Sequence, residues 1–188
     1  MGKNISSVNV RQLTYLAILT AIVFVLQFVS LFMRFATFSL TFVLIPIVIG
    51  VAVCGKWSGA WLGLVFGAAV FATGDATFFM GFDVFGTIVT VMLKGILAGL
   101  VAGLVYSVLQ NKNKVFAIYA AAVTAPIVNT GVFVLGCYTF FLDDITAMAN
   151  GGNVFTFIIV TFVGINFIIE LALNVLLSPA IIRLLRII

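Results

Sequence analysis

The sequence predicts an all-α integral membrane protein, with residues 1–188 forming a single domain that is a bundle of six transmembrane helices. Hydrophobic residues make up 64% of the chain and charged residues only 7%, whereas soluble domains are nearer roughly one half and one quarter. The mean hydropathy is +1.37. About six spans of roughly 20 residues fill a chain of this length, so almost nothing is left for a soluble domain.

Charge and residue usage exclude several functions. The formal charge is +4, but the basic residues are scattered among segment ends, which argues against nucleic acid as a partner. The chain has no histidine, which is the commonest proton shuttle and metal ligand, and this argues against zinc chemistry. We expect no metal site, no cofactor and no catalytic residues. Cys54 and Cys137 fall near opposite membrane faces in the predicted topology, so a disulfide between them is excluded by distance.

The first predicted span, 13–33, follows a polar segment that contains Lys3 and Arg11. A signal peptide also begins with a basic region, but this apolar stretch has spanning length and no obvious small-residue cleavage site follows it. Ala17 and Ala21 lie one turn apart on one helical face, and such a pair permits close contact with another helix.

Spans two and three are predicted at 38–54 and 59–73. Pro46 removes a backbone donor in the second span, so we expect a bend there. The third span carries a row of glycines at four-residue spacing: Gly59, Gly63 and Gly67. Such a row lets a neighbouring helix approach closely.

The fourth span, 85–109, combines a charge with a second glycine row. Lys94 at membrane depth requires a wet cavity or a partner, whereas Gly95, Gly99 and Gly103 predict tight packing. The preceding loop, 74–83, holds two acids and three phenylalanines. Its rings either cover a site or lie in the headgroup region.

Spans five and six are predicted at 115–142 and 154–178. The fifth contains Pro126 and Asn129. The sixth carries polar residues at four-residue steps, and therefore on one face: Asn166, Glu170 and Asn174. We expect Glu170 and Asn174 to hold helices together. The asparagines at 129 and 166 could either contact a ligand or bond to backbone carbonyls.

The lysines and arginines predict that both termini are cytoplasmic. Seven of them then lie inside: Lys3, Arg11, Lys56, Lys112, Lys114, Arg183 and Arg186. Arg34 alone lies outside, which fits the positive-inside rule. Lys94, Asn129 and Asn166 come to similar depths of roughly 14–20 Å below the outer helix ends, at about 1.5 Å per residue. We therefore expect a pocket between spans four, five and six that opens outward, unless Lys94 only pairs with Glu170 for assembly.

The spans also resemble a known family. Four stretches carry the likeness: LTYLAILTAIVFVLQ, FVLIPIVIGVAVCGKWSGAWLGLVFG, FGTIVTVMLKGILAGLVAGLVY and APIVNTGVFVLG. In order and spacing they are similar to the S components of energy-coupling factor (ECF) transporters. The resemblance covers essentially the whole chain, and the size, six spans and orientation contribute more than any single motif.

The resemblance implies a multi-pass protein of the prokaryotic cell membrane that binds a water-soluble vitamin from outside. It implies docking on a transmembrane coupling subunit that sits on two ATP-hydrolysing subunits, through the face that carries Ala17 and Ala21. The sequence lacks a phosphate-binding loop of the G-x-x-x-x-G-K-[ST] type, so ATP hydrolysis would come from those partners. The chain itself is not expected to be an enzyme.

The family's pocket is built from the later helices and capped by outer loops. The predicted ligand-binding residues are accordingly Lys94, Asn129, Asn166, Phe79, Phe82 and Tyr138. Lys94 would suit an anionic ligand, and residues 86–106 are most similar to the pantothenate type. The aromatic residues keep riboflavin as an alternative, and folate or another vitamin is also open.

Two other classes of protein are alternatives to an S component. An autonomous secondary transporter or channel usually shows paired broken helices or a repeated half, for which Pro46 and Pro126 are the only indication. An intramembrane enzyme would require a nucleophile with a base, paired acids or metal ligands within the spans. The sequence has no histidine and no pair of carboxylates within its predicted spans.

Overall fold

The computed structural model describes residues 10–35, 38–39 and 42–187, and nearly all of these residues are helical. The helices are α1 Val10–Ser30, α2 Leu44–Cys54, α3 Lys56–Ala72, α4 Thr77–Met80, α5 Val84–Leu109, α6 Lys114–Phe140, α7 Leu142–Met148, α8 Val154–Phe157 and α9 Gly164–Ile187. A 3₁₀ turn, Leu31–Met33, extends α1, and a π-helical segment, Ile158–Val163, joins α8 to α9. Short strands β1 Arg34–Phe35 and β2 Phe38–Ser39 pair antiparallel. Apart from this hairpin, the all-α prediction is confirmed.

Four helical stretches are long and apolar enough to cross a membrane by themselves. They are α1, α5, α6 and the stretch Val154–Leu185. α2 has 11 residues and α3 has 17, which corresponds to about 16 and 26 Å at ~1.5 Å per residue, short of a hydrocarbon core of about 30 Å. The count of six spans and the cytoplasmic placement of both termini therefore stay predictions.

Some predicted boundaries were wrong. The second predicted span, 38–54, is helical only over Leu44–Cys54, because residues 38–39 belong to the hairpin. Lys3 and residues 40–41 lie outside the described residues. Pro46 falls in the first turn of α2, where a backbone N–H has no helical acceptor to lose, so the expected bend has no cause.

The other two boundary errors lie in the C-terminal half. The fifth predicted span, 115–142, corresponds to α6, which ends at Phe140, and a separate short helix, α7, follows it. The last helix runs through Pro179 to Ile187 and so exceeds the predicted 154–178. The predicted spans 13–33, 59–73 and 85–109 agree closely with the observed helices.

The two glycine rows face each other across α3 and α5. A Cβ atom on Gly59 would collide with the carbonyl oxygen of Gly99, and one on Gly63 would collide with that of Gly95. Residue numbers rise on α3 as they fall on α5, so the helices are antiparallel. The expectation that these rows serve close packing is confirmed, and the tight α3–α5 pair fixes the position of Lys94.

The buried residues form two clusters. The larger joins α1, α2, α3, α5 and α6 and includes Leu19, Val48, Phe66 and Ile118. The smaller is rich in phenylalanine and joins α4 and α7 to α6 and the π-helical segment, with Phe79, Phe141 and Phe162 among its members. Cys54 and Cys137 are free thiols. The aromatic cluster is continuous with the wall of the cavity described below.

Candidate functional site

A cavity of about 90 Å³ lies between α3, α4, α5, α6 and the last helical stretch. Its wall consists of Phe66, Val70, Asp75, Ala76, Phe78, Phe79, Thr87, Thr90, Val91, Lys94, Asn129, Thr130, Phe133, Phe141, Phe162, Val163, Asn166, Phe167 and Glu170. Among residues 10–35, 38–39 and 42–187, no group of three or more histidine, cysteine, aspartate or glutamate side chains is arranged to hold a metal ion. The wall combines eight polar or charged residues with seven phenylalanines and four aliphatic residues, and small-molecule sites likewise pair apolar surface with placed polar groups.

Helix α5 presents one polar face to the cavity. Asp83 caps the helix, because its side chain accepts a hydrogen bond of 2.9 Å from the backbone N–H of Phe85. Thr87, one turn later, donates its hydroxyl to the carbonyl of Asp83 at 2.6 Å. Thr90 and Lys94 follow at helical spacing and also line the cavity. The cap thus fixes where the lysine enters the wall.

Lys94 lies between two aromatic rings. Its Nζ is 5.8 Å from the ring centre of Phe66 on α3 and 5.6 Å from that of Phe133 on α6. Ring faces attract cations at such distances. The carboxylates of Glu170 and Asp75 also act on this ammonium group by Coulomb attraction, Glu170 more strongly. The rings and carboxylates therefore offset part of the cost of burying the lysine charge.

Helix α6 contributes an asparagine with an unused acceptor. Asn129 is 7% exposed, and its Oδ1 is buried without a hydrogen-bond partner in the described part of the chain. On α5, the buried Thr90 Oγ1 has none there either. Leaving such groups unpaired costs about 1–3 kcal/mol each, so a ligand that bonds to them gains free energy.

The last helical stretch is interrupted beside the cavity. The π-helical segment Ile158–Val163 ends at Gly164, whose φ of 23° and ψ of −128° depart from helical geometry. Helix α9 then places Asn166, Phe167 and Glu170 in the wall. Local π-helical turns within α-helices are frequent at functional sites. Here the break allows residues on both sides of Gly164 to face the same cavity.

Below this break, α9 is held by bonds within its own buried face. Asn174 Nδ2 donates to the carbonyl of Glu170 at 2.8 Å, and Ser178 Oγ donates to the carbonyl of Asn174 at 2.8 Å. Asn174 is not among the described wall residues. Its bond lies within α9, so the expected role of Asn174 in holding separate helices together stays a prediction.

The aromatic loop forms part of the cavity wall. Phe79, on α4, packs its ring 5.4 Å from Phe133, 5.2 Å from Phe141 and 5.4 Å from Phe162. Phe78 lies beside it in the wall, at 5.2 Å between ring centres. Edge-to-face contacts of this kind favour a specific arrangement of the rings. The loop therefore contributes two rings to the cavity wall, and its role as a cover stays a prediction.

The cavity brings together four of the six predicted ligand-binding residues. Lys94, Asn129, Asn166 and Phe79 share its wall. Phe82 is absent from the described wall and packs behind it, with ring centres 5.0 Å from Phe78. Tyr138 is 39% exposed and lies outside that wall. A ligand role for these two aromatic residues has no support from the cavity geometry.

Sequence reasoning missed two acids and one helix of this site. Asp75 and Glu170 line the cavity, as do Phe66 and Val70 of α3, although the pocket was expected between spans four, five and six alone. Glu170 had a usable signal, because it shares a helical face with Asn166. Phe66 had none, since one phenylalanine in an apolar span resembles any other.

The predicted docking pair lies on the opposite side of α1 from the core. Ala17 and Ala21 are exposed, whereas Leu19, Val23 and Gln27 are buried. Each alanine is two residues before a buried residue, which is a rotation of about 200° around the helix, so the alanines face away from the bundle. Their small side chains leave this face open to a partner or to lipid.

Comparison with known proteins gives one match. The model of the family described as "ECF transporter, substrate-specific component" matches residues 11–182. No curated protein and no solved structure matches the chain. The match covers every residue that lines the cavity.

Proposed function

Since the chain belongs to the family of substrate-specific components of ECF transporters, we propose that it captures a water-soluble vitamin in the cavity around Lys94. Membership makes it a membrane-embedded, substrate-binding subunit that works with an ECF module and is not itself an enzyme. Family membership does not specify the vitamin, the residues that bind it or the docking face, so these three points are proposals.

One observation carries the proposal: polar groups from three separate helices converge on one cavity that also contains seven phenylalanines. Lys94 comes from α5, Asn129 from α6 and Asn166 from α9. The Oδ1 atoms of the two asparagines are buried and have no hydrogen-bond partner within the described residues. Packing alone gives no reason to bury these acceptors unpaired, whereas a ligand that bonds to them would offset the cost.

Docking on the ECF coupling subunit is proposed through the outward face of α1. Ala17 and Ala21 are exposed there, and small residues let a partner helix approach closely without the loss of packed side chains. Two ATPase subunits of the module would then supply the energy for release. The chain carries no nucleotide-binding loop of its own in its sequence.

The membrane topology is proposed as six spans with both termini in the cytoplasm of a prokaryotic cell. The distribution of lysine and arginine supports this orientation. In it, the aromatic loop around α4 lies on the outer side of the membrane. The cavity would therefore load from outside and be covered by Phe78 and Phe79.

Different residues of the cavity wall favour different vitamins as the ligand. Pantothenate follows from Lys94 taken alone, because an ammonium group can neutralise a carboxylate where water is scarce. Riboflavin, which is uncharged and flat, follows from the rings that surround the cavity. The other charges of the wall bear on this choice and are considered in the next section.

Reconstitution into liposomes tests the proposed function. We expect the purified chain to bind its vitamin without any other subunit, but to accumulate it only when the coupling subunit, the ATPases and ATP are present. Liposomes with the complete module and no ATP serve as the control. Concentrative uptake by the single chain, driven by a proton or sodium gradient, would instead show an autonomous transporter and would overturn the proposal.

A further inference from the structure

The cavity wall contains more acid than base. Its charged residues, among those the structure describes, are Lys94, Asp75 and Glu170. One ammonium group against two carboxylates gives the wall a formal charge of −1. We propose that the ligand is a flat aromatic molecule that is uncharged or positively charged, and not a carboxylate. This inference rests on the proposed function and narrows its substrate class.

The position of Lys94 explains why its charge does not require an anionic ligand. Both carboxylates attract this ammonium group, and its Nζ already faces the rings of Phe66 and Phe133 at 5.8 and 5.6 Å. An added ligand carboxylate would meet one positive and two negative groups in a space with little water. Like charges in such a space repel each other strongly, so binding of an anion is disfavoured.

The remaining lining favours a ring. Seven of the wall residues are phenylalanines, and Phe78 on α4 lies with its ring centre 6.2 Å from that of Phe162 on the π-helical segment. Aromatic faces bind flat groups by offset stacking and bind cations through the ring quadrupole. A flexible aliphatic ligand would gain neither of these interactions.

The two wall amides supply hydrogen bonds without adding charge. Asn129 and Asn166 each have a buried Oδ1 that accepts no bond in the described part of the molecule. Ligand N–H groups, as on an aminopyrimidine or an amide-bearing heterocycle, would satisfy such acceptors. The wall also carries hydroxyl, amide and ammonium donors, but its buried amide oxygens without a partner in the described residues match a ligand that has N–H groups.

Isothermal titration calorimetry on the full chain in detergent tests the inference with probes that differ in charge. The cation thiamine and the neutral riboflavin are compared with the anion pantothenate. Two matched pairs isolate the charge itself: pantothenate with panthenol, and nicotinate with nicotinamide. We expect thiamine or riboflavin to bind most tightly, and the uncharged member of any pair that binds to exceed its carboxylate partner by about tenfold or more.

The outcomes separate this inference from the function on which it rests. Tightest binding of pantothenate or nicotinate would overturn the inference while leaving vitamin capture intact. If no probe binds, the small molecule released from the purified protein by heating is identified by mass spectrometry. A neutral or cationic aromatic compound supports the inference, and an aliphatic carboxylate overturns it. The absence of any bound or binding small molecule would overturn the proposed function, and the inference with it.

Discussion

Gln27 on α1 bonds to Asp75 in the cavity wall: its Nε2 donates to the Asp75 Oδ2 at 3.3 Å. The same amide lies 3.4 Å from the hydroxyl of Thr73, and the Gln27 side chain is fully buried. Helix α1 carries the proposed docking face on its other side. A hydrogen bond therefore joins the helix that would meet the coupling subunit to an acid of the ligand site.

Replacing Gln27 with leucine should weaken ligand binding. Loss of one bond to the carboxylate, worth about 1 kcal/mol, corresponds to roughly a fivefold rise in Kd, because Asp75 is then held less firmly in the wall. Ser30→Ala is the matched control on the same buried face, since among the described residues the Ser30 hydroxyl bonds to the carbonyl of Leu26 within α1. Calorimetry that gives equal Kd values for Gln27→Leu and Ser30→Ala would show that this bond does not support the site.

The charges of the wall should have opposite effects when they are removed singly. With the proposed non-anionic ligand, Glu170→Gln should weaken binding of a cation by about tenfold, whereas Lys94→Met should leave Kd unchanged or lower it. Lys56→Met, at the exposed start of α3, controls for loss of a positive charge outside the cavity. Each variant is checked by size-exclusion chromatography before calorimetry. A large loss of affinity in Lys94→Met alone would indicate an anionic ligand.

Close packing of α3 on α5 should make Gly99 intolerant of a side chain. A Cβ there would collide with the backbone of Gly59, which cannot move without displacing α3, so Gly99→Ala should cost about 1–3 kcal/mol. Gly131→Ala on α6 is the control, because a Cβ there meets nothing within 4 Å and helix propensity favours alanine by up to about 1 kcal/mol. Thermal unfolding in detergent should show a lower Tm for the first variant only, and equal Tm values would contradict the packing described.

Bulk on the outward face of α1 should separate capture from transport. Ala17→Trp and Ala21→Trp are expected to keep the ligand Kd of the parent chain, because both side chains face away from the bundle, yet to abolish uptake through the ECF module. Leu135→Trp, at an exposed position on α6, should leave both measurements intact. Ligand affinity that falls in the alanine variants would place this face within the binding site instead.

The sequence predicted the helices well where an apolar span was long and bounded by charged residues, as for 85–109. It could not predict the strand pair β1 and β2, because strands of two residues leave no periodic signal. In the site, depth counting brought Lys94, Asn129 and Asn166 together correctly. Depth counting did not find Asp75, because a residue in a loop has no helical depth to count. Tyr138 was predicted from its aromatic ring and lies outside the described wall, because an aromatic residue near a helix end fits lipid and ligand equally well.

Asn129 and Asn174 provide the sharpest separation of ligand binding from stability. Both are buried, and each has an Oδ1 with no partner among the described residues, but only Asn129 lines the cavity. Replacement by leucine removes a buried unpaired acceptor at either position and should raise the Tm of the ligand-free protein, by the equivalent of about 1 kcal/mol at Asn129. The gain at Asn174 should be smaller, because its Nδ2 also loses a bond to the carbonyl of Glu170. Only Asn129→Leu should weaken ligand binding, by about tenfold or more, and unchanged affinity there would remove this asparagine from the ligand site.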